Sequence, residues 1–175
     1  MSDETFHYLA YGSNLHPLRL CDRVGPVECL GSVCLPGWRL CFDKRGSDGS
    51  AKANLRAAPD SNHQAWAAVF RLERRQYARL DRYEGCGRGY ETFWLDLTLD
   101  GRETPVLTYL TPSHWQSAQA KPYRWYRDLV LAGARFHQFP SAVIEALNRI
   151  DTMADPDPER ADRQRLLLER ITAHS

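Results

Sequence analysis

The sequence predicts an α+β fold, with a small mixed or mostly antiparallel sheet curved strongly or closed into a partial barrel. Three observations carry this. Short apolar runs bounded by turn residues fill the first half of the chain. One helical segment and one hairpin follow, and the last third has helical spacing. Regular strand–helix alternation, the mark of a parallel sheet, is missing, so several short strands must share one core.

The first strand runs from Phe6 to Tyr11 and stops at Gly12. A short helix is expected from Asn14 to about Arg23, with Ser13 or Asn14 as its cap and Pro17 limiting its start. Val27–Leu35 and Trp38–Phe42 read as strands around a Pro36-Gly37 turn. Asp43 to Ser50 is polar and glycine-rich and reads as a solvated hairpin loop. A weak strand follows at Ala53–Ala58, ended by Pro59-Asp60, and a stronger one at Ala65–Leu72. From Glu73 to Tyr83 the spacing turns helical, with Glu73 placed to suit the helix dipole. Gly85-Cys86-Gly87-Arg88-Gly89 ends that helix. Tyr90–Leu99 alternates cleanly, Asp100-Gly101 signals a hairpin, and Pro105–Leu110 returns. Tyr123–Phe136, Ser141–Ile150 and Pro158–Thr172 read as helices, the last two separated by a proline-broken acidic joint at Asp155–Asp157. Residues 1–154 form the expected domain, and residues 155–175 a charged helical tail that packs loosely on the body or on another subunit.

A chain of 175 residues holds one compact domain with a real core. Lys plus Arg number 23 and Asp plus Glu 22, a balance that argues against a dedicated nucleic-acid or membrane-surface binder. No apolar run approaches a bilayer span, and Met1-Ser2-Asp3-Glu4 is acidic where a secretory signal is basic, so a cytoplasmic location is expected. The five cysteines, at positions 21, 29, 34, 41 and 86, lack zinc-ligand spacing and read as small buried hydrophobes. The histidines are scattered, so neither a metal nor a cofactor is expected.

Two places stand out chemically. Tyr11-Gly12-Ser13-Asn14-Leu15 lies where the first strand leaves the sheet and a helix begins. Free N–H groups there would attract a carboxylate or an oxyanion; the plainer alternative is an ordinary capped turn. Glu84 ends the middle helix, where the negative end of the dipole would raise its pKa and suit it to proton transfer. The plainer alternative there is a solvated surface carboxylate. Asp81 reads as a structural hydrogen-bonding group. The glycine-rich loop follows a helix and precedes a strand, the wrong context for a phosphate loop, and Cys86 has no histidine at a recognisable spacing to activate it. Tyr123, Trp125 and Tyr126 read as packing aromatics, and a tyrosine hydroxyl among them can close a polar pocket.

Taken in order, these segments resemble one family. Tyr8-Leu9-Ala10-Tyr11-Gly12-Ser13-Asn14-Leu15 resembles the Y-G-S-N-L signature of the gamma-glutamylcyclotransferase (AIG2-like) family. Leu80-Asp81-Arg82-Tyr83-Glu84-Gly85 is similar to its L-D-x-x-E-G segment, and Pro122–Tyr126 to its P-S-x-x-Y segment, which runs into a helix with Gly133-Ala134. Trp38-Arg39-Leu40 and Ala53-Asn54-Leu55 look like family strands. The likeness spans roughly residues 6–150; Tyr123 stands where the family often has Ser, the glycine-rich loop carries Cys86 and Arg88, and the tail is an addition.

The resemblance implies a small mixed sheet curled into a partial barrel, with helices around it and a pocket at one mouth. It implies that Glu84 is the catalytic acid/base. It implies that Tyr8, Ala10, Tyr11, Gly12, Ser13, Asn14, Leu15 and Tyr126 bind a small-molecule γ-glutamyl substrate, with no metal, cofactor or nucleic acid. The implied reaction is attack of the glutamyl α-amine on its own γ-amide carbonyl, releasing 5-oxoproline and an amine. A related enzyme acting on a specialised amine, a non-catalytic binding domain and a homodimer remain open on sequence grounds.

Overall fold

The computed structural model describes residues 5–59 and 62–173. The acidic start at residues 1–4 and Asp60 of the expected turn lie outside them. A five-stranded sheet forms the centre, in the order β2-β5-β1-β7-β6, where β1 is Thr5–Ala10, β2 Glu28–Pro36, β5 Gln64–Glu73, β6 Glu91–Leu99 and β7 Arg102–Leu110. β1 runs parallel to β7 and every other pairing is antiparallel, so the sheet is mixed and curls into a half-barrel. A separate hairpin, β3 (Trp38–Arg45) with β4 (Ala51–Ala57), folds beside it.

The central strand β1 alternates between neighbours that are far apart in sequence. Tyr8 faces Phe70 on one side and Leu107 on the other, and Leu9, Phe70 and Leu107 are fully buried. Burying a side chain of this kind contributes about 1.5–3 kcal/mol, so the sheet and the helices over it form one core. The edge strand β6 keeps the expected alternation, with Leu95, Leu97 and Leu99 half-buried, and turns at Asp100-Gly101 into β7.

Five helices surround the sheet: α1 (Pro17–Val24), α2 (Tyr77–Glu84), α3 (Arg124–Phe136), α4 (Ser141–Asn148) and α5 (Pro158–Thr172). Several expectations need correction. His16 caps α1, accepting from Leu18 N at 3.2 Å, because the side chain of Asn14 is turned elsewhere. Glu73 ends β5 and caps the short Arg74–Gln76 turn that precedes α2, where Gln76 accepts its N–H at 2.7 Å. The expected polar loop begins later than the sequence suggests: Asp43, Lys44 and Arg45 are the end of β3, with Asp43 and Lys44 buried, and only residues 46–50 form the turn into β4. None of the cysteines is buried: Cys29 and Cys86 are exposed, and Cys21, Cys34 and Cys41 are half-buried free thiols.

The tail is seated, not loose. Ile171 is fully buried against Leu129 and Ala132 of α3, with Leu18, Trp125, Leu167 and Leu168 around them. Asp155 anchors the approach, accepting from Trp125 Nε1 at 2.8 Å and from Arg160 Nε at 2.7 Å. The Asp157 carboxylate then caps the helix at Arg160 N, with Pro158 in its first turn.

Candidate active site

A cleft opens where the C-terminal end of β1 meets the end of α2. Its floor is an acid held by two donors. Glu84 Oε1 accepts from Tyr8 Oη at 2.8 Å and from Asn14 Nδ2 at 2.6 Å. Asn14 is held in turn, its Oδ1 accepting from Arg23 Nη1 at 2.8 Å, and the Arg23 guanidinium lies 5.4 Å from the centre of the Tyr83 ring. Thus β1, the loop after it, α1 and α2 each contribute one member of a fixed chain. Glu84 Oε2 has no hydrogen-bond partner among the described residues, and Glu84 lines the space a ligand would enter.

Burial raises the Glu84 pKa above the ordinary carboxylate value; the charge on Arg23 and the bonds from Tyr8 and Asn14 pull against it. The dominant cause is desolvation, where the sequence pointed to the helix dipole. Burial likewise keeps Tyr8, Tyr11 and Tyr90 protonated, as donors.

The opposite wall is aromatic and equally fixed. Tyr11 Oη donates to the carbonyl of Tyr109, and Tyr90 Oη to the carbonyl of Ala53. Ala53 N–H donates to Tyr126 Oη at 3.0 Å, so the Tyr126 hydroxyl keeps its own proton for a ligand. Gly12 lies close beneath: a Cβ there would sit 3.3 Å from Tyr126 Oη and 3.1 Å from Ala53 Cβ. The loop amides divide. Leu15 N–H closes the turn on Gly12 O at 3.1 Å and is not available to a ligand, whereas those of Gly12, Ser13 and Asn14 have no hydrogen-bond partner among the described residues.

The structure therefore gathers Tyr8, Tyr11, Gly12, Ser13, Asn14, Tyr126 and Glu84 around one space. Ala10 and Leu15 are not on its lining. Ala10 is buried in β1 opposite Ala68, and Leu15 packs under α3, where a Cβ on Gly133 would fall 2.3 Å from Leu15 Cβ. Asp81 has the structural place expected of it, accepting from Tyr109 Oη. Sequence reasoning missed Arg23, Lys44, Lys52, Tyr83, Tyr90, Thr108 and Tyr109, which complete the lining. Tyr90 and Tyr109 were visible only as strand aromatics, and the two lysines only as members of a polar stretch. Among the described residues no three His, Cys, Asp or Glu side chains gather as a metal site.

Residues 8–128 match the family model described as gamma-glutamyl cyclotransferase, AIG2-like. The chain is 27% identical over 155 residues to the gamma-glutamylcyclotransferase of Mus musculus, covering 85% of this chain and 80% of the mouse protein. A solved gamma-glutamyl cyclotransferase superposes with a TM-score of 0.79 at 23% identity, covering 93% of this chain and 99% of the other. An uncharacterized protein from Homo sapiens superposes at 0.77, with the same identity and coverage. At those identities the superpositions speak to the fold.

Proposed function

The chain belongs to the gamma-glutamyl cyclotransferase, AIG2-like family, and on that premise we propose that it releases 5-oxoproline from small γ-glutamyl compounds with Glu84 as its proton shuttle. The observation that carries this is the acid chain Arg23–Asn14–Glu84–Tyr8 at the floor of the cleft. It places one carboxylate of raised pKa beside donors that cannot themselves turn away.

The substrate supplies both reacting groups. Its α-amine, once neutral, attacks the γ-carbonyl carbon; a C–N bond forms, and the γ C–N bond to the departing amine breaks. Holding the glutamyl chain folded does much of the work, since oriented intramolecular attack reaches effective molarities of about 10⁵ M or more. Glu84 takes the proton from the attacking nitrogen and hands it to the leaving amine, so acid and base forms are regenerated within one turnover. The free N–H groups of Gly12, Ser13 and Asn14 and the Tyr126 hydroxyl stabilise negative charge on the substrate. Tyr8 and Asn14 aim the carboxylate. No helix among the described residues is long and apolar enough to cross a membrane, and all five cysteines are free, which supports work in a reducing cytoplasm.

The test is 5-oxoproline release, followed by mass spectrometry, from γ-glutamyl amino acids, γ-glutamyl amines and glutathione. Glu84→Gln should fold and bind while losing about 10²–10⁴-fold in kcat. A wild-type protein that releases no 5-oxoproline from any of them, or a variant that keeps most of its turnover, ends this reading.

A further inference from the structure

Three cations line the cleft, and two are already engaged. Arg23 holds Asn14. Lys52 Nζ sits 2.7 Å from Asp48 Oδ2 and 2.7 Å from Ser50 Oγ. Lys44 is different. It is only 8% exposed, and its ammonium lies 4.9 Å from the centre of the Tyr90 ring, with no hydrogen-bond acceptor or carboxylate among the described residues. Its three protons are unused by the protein and are free to donate to acceptors that a ligand brings into the cleft.

The backbone is arranged to put it there. Phe42 pairs with Ala53 and Lys44 with Lys52, so Asp43 is the extra residue of a β-bulge. The bulge buries two consecutive charged side chains. Asp43 goes to structural partners, accepting from Asn54 Nδ2 at 3.0 Å and pairing with Arg56 at 2.6 Å. Lys44 goes to the cleft. Above it the glycine-rich loop passes so closely that a Cβ on Gly89 would stand 2.6 Å from Lys44 Cε.

We propose that Lys44 is the residue of the cleft that binds a substrate carboxylate. This rests on the γ-glutamyl reading and deepens it. Every such substrate carries a carboxylate beside the α-amine, and a γ-glutamyl amino acid carries a second on its leaving amine. The Tyr90 ring and the glycine loop at Gly89 pack against the Lys44 side chain, and Lys44 lines the cleft where an anion would enter. Burial and the neighbouring charge of Lys52 lower the Lys44 pKa, and the charge on Glu84 counters them; a bound carboxylate would restore what burial removes.

The experiment compares the full-length wild type with Lys44→Met and Lys44→Arg on γ-glutamyl-alanine and γ-glutamyl-ethylamide, which differ by one carboxylate. Lys44→Met should raise KM for γ-glutamyl-alanine about tenfold to a hundredfold, with Lys44→Arg recovering part of the loss. A rise for both substrates assigns Lys44 to the glutamyl carboxylate; a rise for γ-glutamyl-alanine alone assigns it to the leaving amino acid. Unchanged KM for both, in a variant whose circular dichroism is native, overturns the proposal. Lys44→Gln serves in the same way should the methionine variant not fold. Wild-type turnover with unaffected variants sinks this inference alone, whereas absence of wild-type turnover sinks the parent reading and this one with it.

Discussion

Two faces of α3 meet two regions built from opposite materials. On one, Tyr126 and Gly133 border the cleft and the loop that forms it, where charges and hydroxyls are taken out of water and most, Lys44 apart, are tied to a partner. On the other, Leu129 and Ala132 receive Ile171 of α5, and the contact is apolar side chains alone. The second region gains stability from every group it buries. The first gives stability up: burial around Glu84 favours its neutral form, so charging the carboxylate there costs more than in water. The same helix thus serves a site that costs free energy and a seat that supplies it.

Three substitutions probe that division. Ile171→Ala should cost the most, about 2–4 kcal/mol by urea denaturation, with kcat/KM unchanged; a fall in kcat/KM would join the two regions. Gly133→Ala should cost about 1–3 kcal/mol through overpacking. Its Cβ would strike Leu15 Cβ and come within 2.9 Å of His16 N, so here stability and turnover should fall together. If turnover survives, the loop adjusts independently of the helix beneath it. Glu84→Gln has the smallest effect and the opposite sign. Burial raises the folded pKa above the unfolded one, so this group's contribution is full below about pH 4.5, the unfolded value, and is lost as pH rises through the folded value. The variant should therefore be more stable than wild type at pH 7, by on the order of 1 kcal/mol, and the advantage should vanish near pH 4. An advantage of equal size at both pH values would assign it to packing instead of charge.

Much of the frame was legible because it rests on local pattern. The alternation from Phe93 to Leu99, the Asp100-Gly101 turn and the bounds of α5 follow from period and cap chemistry alone. The loop from Tyr11 and the acid at Glu84 were legible through the motifs around them, and the structure places both in one cleft. What stayed hidden depends on residues distant in sequence. A β-bulge cannot be read from the composition of Asp43 to Ser50, so Lys44 passed for a solvated charge. The cysteines failed for a related reason: burial is decided by which strand lies alongside, and Cys29 and Cys34 fall on β2, an edge of the sheet. Asn14, a good helix cap by type, was claimed by Glu84, which lies 70 residues away.

Such distances have a kinetic meaning. Tyr8 and Glu84 are 76 residues apart, Tyr11 and the Tyr109 carbonyl 98, and the Leu15 carbonyl and His137 122. Each contact closes a long stretch of chain before it returns any free energy. A chain growing from its N-terminus therefore carries the Tyr11–Leu15 segment long before there is a cleft to hold it. The site comes into being late in synthesis, once β7 has slid in beside β1 and α3 has closed over the loop.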